Sequence, residues 1–172
     1  MAINILLKML KINKRKNKAS QKIKQKIREE KEFKCLNCGK MVFYSPLIGT
    51  AHRNHCPFCL WSKHVDLKTG DRKAKCQGLM KPLALTFKQE GINKYGKKRQ
   101  GELMLIHQCL KCQKISLNRL AGDDDEKKIL QILDESQNLP PQKIKELKEK
   151  GIEILTIKQK SEVLNQLFGK NL

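Results

Sequence analysis

The chain has 172 residues, of which 39% are hydrophobic and 5% aromatic, enough for one domain with extensions and only a modest core. No run approaches the roughly 18 apolar residues of a membrane-spanning helix. Lys and Arg number 37 against 17 Asp and Glu, a net charge of +20, and an excess of that size repels itself on compaction and points to a polyanionic partner, nucleic acid first.

The charge divides the chain. Residues 1–34 carry net +9, residues 35–119 net +12, and residues 120–172 net −1. Three parts are expected: a basic N-terminal arm over 1–32, a cysteine-bearing β domain over 33–122 and a helical segment over 123–172. The fold class expected is α+β.

In the arm, the apolar run Met1–Leu10 precedes the basic block containing Lys14, Arg15, Lys16, Lys18 and Lys22. A secretory signal has the opposite order, so a cytoplasmic location is expected. No acidic residue occurs before Glu29. Such a block is a solvated helix, a membrane-surface helix or an arm that orders along phosphates. The arm reading is adopted, with those five cations as nucleic-acid contacts and no membrane partner.

Six of the seven cysteines form three Cys-x2-Cys pairs: Cys35/Cys38, Cys56/Cys59 and Cys109/Cys112, with Cys76 alone. Two thiolates at this spacing can face one tetrahedral ion while turn amides donate to the sulfurs. The first two pairs, seventeen residues apart, have the spacing of a complete four-cysteine zinc ribbon. A redox Cys-x-x-Cys would open a long helix, whereas Pro57 sits inside the second pair and no helical pattern follows Cys38. Cys76, Cys109 and Cys112 form a second site one ligand short. His64 is placed slightly ahead of His107 as the fourth ligand, and two zinc ions are expected. His52, His55, His64 and Asp66 would be the residues of a zinc enzyme, but thiolate-rich sites leave no position for an activated water, so no catalysis is expected.

Between Cys76 and Cys109, Leu83, Leu85 and Phe87 alternate, as do Leu103, Leu105 and His107 on the return, which predicts a β-hairpin. Its connection, Gln89 to Gly101, holds Lys94, Tyr95, Lys97, Lys98 and Arg99, a basic tip with one stacking ring suited to RNA. In the last segment Asp123, Asp124, Asp125 and Glu126 precede the periodic Ile129, Ile132 and Leu133, predicting a helix. Pro140-Pro141 opens a second, with Ile144 and Leu147 buried and Gly151 ending it. Ile152–Ile157 reads as a short strand, and a last helix runs from Ser161 to Gly169. This αα-β-α pattern is too small for its own core and is expected to dock on the zinc domain or on a partner protein.

The run Ala51-His52-Arg53-Asn54-His55-Cys56-Pro57-Phe58-Cys59-Leu60-Trp61-Ser62-Lys63-His64-Val65-Asp66 resembles the signature of the RNHCP domain family. So do Gly70-Asp71-Arg72, Cys76 with Gly78, Met80 and Pro82, His107-x-Cys109-x2-Cys112, and Asn118-Arg119 with Ala121, Asp123 and Asp124. The resemblance covers about residues 33–125. It implies a small zinc-ribbon-like domain, in a family without an established biochemical function. Gln108 stands where that family usually has Arg, and Gln113 where Gly normally follows the last knuckle.

Within that block, Arg53 and Asn54 carry donors suited to phosphates or base edges, or to the local turn. Asp66 beside His64 and Asp71 beside Arg72 are candidates to orient those side chains. The reading that unites these features is a zinc-stapled RNA-binding module, ribosome-associated or ribosomal, contacting rRNA without catalysis or a small-molecule substrate. No recognition helix is visible, so a DNA-binding or transcription-associated zinc ribbon is the alternative and a zinc-dependent enzyme the third.

Overall fold

The structure, a computed structural model, describes residues 32–43, 45 and 53–169. The arm cations Lys14, Arg15, Lys16, Lys18 and Lys22, together with His52 and the Lys98 side chain, lie outside the described residues.

Among the described residues, two antiparallel sheets and three helices make an α+β fold. A small ribbon pairs β1 (Phe33–Lys34) with β2 (Met41–Val42). The main sheet has the order β3-β4-β5-β6, formed by β3 (Ser62–Lys63), β4 (Leu79–Ile92), β5 (Lys98–Cys109) and β6 (Ile115–Arg119). Helices α1 (Glu126–Ser136), α2 (Pro141–Glu149) and α3 (Lys160–Phe168) follow.

The hairpin is longer and its connection tighter than the sequence suggests. Pairing continues to Ile92 opposite Lys98, and the turn is closed by Asn93, whose Oδ1 accepts from the amides of Tyr95 and Lys97 at 2.9 and 3.0 Å. Asn93 supplies in its side chain the acceptor that a polar stretch without apolar alternation does not advertise. At the other end, Gly101 is obligatory: a Cβ there would lie 2.0 Å from the Lys88 carbonyl oxygen. The ladder is irregular between Phe87 and Gln89, and the Gln166 side chain of α3 repairs it, accepting from Leu103 N and donating to Gly101 O.

Alternation along β4 is broken early. A register shift between Pro82 and Ala84, where proline has no amide to give the ladder, moves Leu83 away from Leu85. Leu85, Leu103 and Leu105 pack with Ile129, Ile132 and Leu133 of α1, Leu155, and Val163 of α3. Ala84 and Ile106 pack with Leu147 of α2, and Leu83, Ile115, Leu117, Ile152 and Ile154 join them. The sheet is thus covered by two apolar clusters, and residues 123–169 complete its core. Burying each such aliphatic side chain contributes about 1.5–3 kcal/mol.

Two C-terminal expectations are corrected. Residues 152–156 form no strand: Leu155 N donates to Leu85 O at 2.9 Å, but the segment leads directly into a 3-10 turn at Ile157–Gln159, so no ladder propagates. Ile144 is 41% exposed while Leu147 is fully buried, because α2 touches the sheet by one narrow edge near its C-terminus. The helix signals themselves act as expected. Asp125 caps α1 by accepting from Lys128 N, and Gly151, at φ +72°, ends α2 with Ile152 N donating to Leu147 O. Among the described residues no helix is long and apolar enough to cross a membrane.

Candidate metal centres

Three knuckles share one backbone design. In each, the amide of the first cysteine donates to the carbonyl five residues on: Cys35 to Lys40, Cys56 to Trp61 and Cys109 to Lys114, all at 2.9 Å. The residue after the second cysteine then donates back to the first cysteine's carbonyl, at 3.0 Å from Gly39, 2.8 Å from Leu60 and 2.9 Å from Gln113. Closing so tight a loop puts that residue in the left-handed region, at φ +74°, +60° and +61° respectively. Glycine adopts it freely and the other two residues do not. Leu60 offsets the strain by burying its side chain completely in the core. Gln113 offsets it by accepting from Gln108 Nε2 at 2.8 Å, so the two residues that differ from the RNHCP pattern meet each other.

The knuckles assemble two tetrads, Cys35, Cys38, Cys56 and Cys59 in one and His64, Cys76, Cys109 and Cys112 in the other, with all ligand atoms of each within 4.8 Å of one another. Sulfur pairs Cys35/Cys59, Cys38/Cys56 and Cys76/Cys109 lie 3.6 Å apart. That is far beyond the roughly 2.05 Å of a disulfide and close to the edge, about 3.8 Å, of a tetrahedron with metal–sulfur bonds of about 2.3 Å. His64 Nδ1 stands 3.2 Å from Cys112 Sγ. The donor sets and geometry fit two zinc sites, one all-thiolate and one of three thiolates and an imidazole. Four thiols this close cannot all ionise unaided. Burial pushes the Cys56 and Cys59 thiols up against the hydrogen bonds they accept, while at Cys38 the hydrogen bonds from the Lys40 backbone and from neighbouring thiols outweigh burial and bring it down to about 7. A divalent cation removes this conflict by binding the thiolates together.

The second centre leaves no space at Gly78. A Cβ there would sit 2.7 Å from Cys109 Sγ and 2.8 Å from Lys111 Cβ. His64 is held to the same loop by backbone bonds, His64 N to Gly78 O and Gln77 N to His64 O. His107 is not a ligand, because both its nitrogens are engaged. Asn118 Nδ2 donates to Nδ1 at 2.9 Å, and Nε2 donates to Leu60 O at 2.7 Å. Complete burial then drives its pKa down to about 3 against the opposing Leu60 bond. His107 is therefore a neutral strut between β5, β6 and the second knuckle.

Arg53, a candidate for nucleic acid, turns its guanidinium fork inward. It is 8% exposed and forks onto Asp123, with Nη1 to Oδ2 at 2.7 Å and Nη2 to Oδ1 at 2.6 Å, while Nη2 also reaches Asp124 Oδ1 at 2.6 Å. Asp124 Oδ2 in turn meets His55 Nε2 at 2.8 Å and accepts from Ala121 N. The buried Asp124 and the half-exposed Asp123 facing one guanidinium make a closed electrostatic unit. No spacing rule reveals it; the only hint is that its members occur in separate blocks of the same signature. Asn54 donates to Asp66 Oδ2 at 2.7 Å. Asp66 does not orient His64, since its other oxygen accepts from Arg72 N, and Asp71 does not orient Arg72, since it caps the amides of Leu67, Lys68 and Lys73. Lys94, Tyr95 and Lys97 are exposed at the hairpin turn, Tyr95 by 74%, and Arg99 is exposed on β5.

The RNHCP domain model matches residues 30–130, more than half of the 172-residue chain, and spans both tetrads. No curated protein and no solved structure matches the chain.

Proposed function

The chain belongs to the RNHCP domain family, and from that premise we propose that it is a zinc-stapled RNA-binding module, cytoplasmic and ribosome-associated, contacting rRNA as a scaffold and not as a catalyst. One observation carries the reading. Among the Lys and Arg side chains described, Arg53 alone is buried, so nearly all of the basic excess of residues 35–119 lies on the surface. The zinc centres hold that surface in a fixed shape, and Arg53 pairs with Asp123 and the buried Asp124, the two acids that would oppose an anion.

The hairpin supports RNA as the polyanion. Its turn is ordered by Asn93 and presents Tyr95 with Lys94 5.0 Å from the ring centroid. An exposed ring among cations suits unpaired bases, which stack, better than duplex DNA, whose bases are enclosed. Neither α1 nor α3 is free to enter a major groove, because each uses its apolar face on the sheet.

Sedimentation of a cell lysate through sucrose at moderate and high salt tests the proposal. The protein is expected with ribosomal particles at moderate salt and at the top of the gradient at high salt. A protein found only at the top at every salt concentration is not ribosome-associated. Competition between structured RNA and duplex DNA for the zinc-loaded protein separates the RNA reading from the DNA alternative.

A further inference from the structure

Between the small ribbon and the main sheet lies a cleft of about 230 Å³ whose wall includes Cys35 of the first tetrad, while no residue of the second tetrad or of the hairpin tip lines it. Phe33 and Trp61 supply aromatic surface, and Lys34, Lys63 and Arg72 are exposed cations on its lining. Its volume is below the roughly 300–1,000 Å³ of sites for drug-sized ligands, the scale of a single planar ring system.

Two buried polar atoms of its lining residues lack partners, Arg53 Nε and Asn54 Oδ1. Both follow from bonds already described. Arg53 uses its two terminal nitrogens on Asp123 and Asp124, which leaves the Nε–H. Asn54 must turn its Nδ2 to the Asp66 carboxylate at 2.7 Å, which leaves the carbonyl oxygen. The lining therefore holds one unpaired donor and one unpaired acceptor on adjacent residues, both with almost no accessible surface, so an occupant reaches them only as the lining shifts. A buried polar atom left unpaired is unfavourable, so a ligand that satisfies both recovers that cost on binding.

Resting on the RNA-binding reading above, we infer that this cleft captures one unpaired nucleobase: the ring against Trp61, a donor–acceptor base edge on Asn54 Oδ1 and Arg53 Nε, and the attached phosphate among Lys34, Lys63 and Arg72. Every base presents a donor beside an acceptor on its Watson–Crick edge, which pairing occupies, so the cleft selects an extruded base over a paired one and does not choose among sequences. It gives the buried Arg53 a second role, holding the acidic pair with its fork and the base with its remaining N–H.

The chain contains a single tryptophan, and it lines this cleft, so its fluorescence reports occupancy directly. The full-length zinc-loaded protein is titrated with a single-stranded RNA oligomer, with the same oligomer made abasic, and with nucleoside monophosphates, while anisotropy of the labelled oligomer follows binding in parallel. Saturable quenching by the intact oligomer and by monophosphates, absent with the abasic oligomer, is expected. Replacing the exposed Lys34 and Lys63 together by Ala should weaken monophosphate quenching about tenfold. Oligomer binding by anisotropy without quenching, or equal quenching by intact and abasic oligomers, overturns the nucleobase site and leaves RNA binding standing. Absence of oligomer binding overturns the RNA reading, and the monophosphate titration then decides the cleft alone.

Discussion

Arg53 and Asp123, seventy positions apart, form a two-pronged ion pair at 2.7 and 2.6 Å, and this pair ties the strip before the second knuckle to the chain entering α1. Asp125 N donates to Pro57 O at 3.0 Å beside it. The first zinc centre and the helical segment are thereby one mechanical unit. Arg53→Ala should cost about 3–5 kcal/mol, because it leaves the buried Asp124 uncompensated. Asp123→Asn should cost about 1 kcal/mol, since the Asp123 side chain is 45% exposed and solvent screens its charge. Denaturant unfolding of the zinc-loaded proteins measures both.

The same pair predicts a pH signature. Burial pushes the Asp123 carboxyl up, but the Arg53 hydrogen bond and charge dominate and hold it below the usual carboxylate range. A carboxylate depressed in the folded state stabilises fully above its unfolded pKa, near 3.9, and loses that contribution as pH falls through the folded value. The stability difference between wild type and Asp123→Asn should therefore be constant from pH 7 to pH 5 and shrink only below about pH 4. Taking the difference between the two proteins cancels acid release of metal. A difference that closes already near pH 6 would mean that another group carries the effect.

Metal content separates the two histidines. His64→Ala should reduce zinc from two ions per chain to one, or lower the affinity of the second centre by orders of magnitude, with the first centre intact. His107→Ala should keep two zinc ions yet destabilise the fold by about 3–5 kcal/mol, since it removes a fully buried ring with both nitrogens bonded. Elemental analysis and denaturation measure these separately. Chelation of both ions should unfold the zinc domain, because such sites contribute on the order of 10–16 kcal/mol.

The left-handed positions respond in opposite senses. Gln113→Gly relieves backbone strain but loses the Gln108 bond, and should change stability by less than about 1 kcal/mol. Leu60→Gly relieves similar strain but removes a side chain buried in the core, and should destabilise by about 2–3 kcal/mol. Gly78→Ala, which drives a methyl group against Cys109 Sγ, should weaken zinc at the second centre and leave the first untouched. Competition with a colorimetric chelator reads that selectivity.

Deleting residues 1–28 removes ten basic residues and no acidic one. If the arm lies on phosphates, the slope of log affinity against log salt becomes much shallower. An unchanged slope would assign the arm to solvent.

Much of the architecture was legible because it is local. The knuckles close within six residues, so cysteine spacing alone announces them, and the capping of α1 by Asp125 and of α2 by Gly151 follows from adjacent residues. The hairpin was legible in Leu85, Phe87, Leu103 and Leu105, but its length was not. Residues 88–92 show no apolar alternation, and their pairing depends on the Asn93 turn. The strand read at 152–157 failed because Ile152 and Ile154 pack partly buried on the sheet without joining its ladder, while Ile157 is exposed. The inward fork of Arg53 was not legible, because a basic residue in a basic chain looks available. Nothing in its neighbourhood discloses two aspartates arriving from beyond residue 120.

The amino-acid sequence by itself determined the family, the three knuckles, the pairing of cysteines into two zinc centres and the concentration of positive charge in residues 1–119. Each rests on residue type and short spacing. Only the tertiary structure decided that His64 and not His107 completes the second centre, that Arg53 is held inward, and that the near-neutral C-terminal segment covers the sheet. Those outcomes depend on partners such as Leu60 for His107, 47 positions away, and Asp123 for Arg53, 70 positions away. Competition for buried hydrogen bonds across such distances is settled only when the chain has packed.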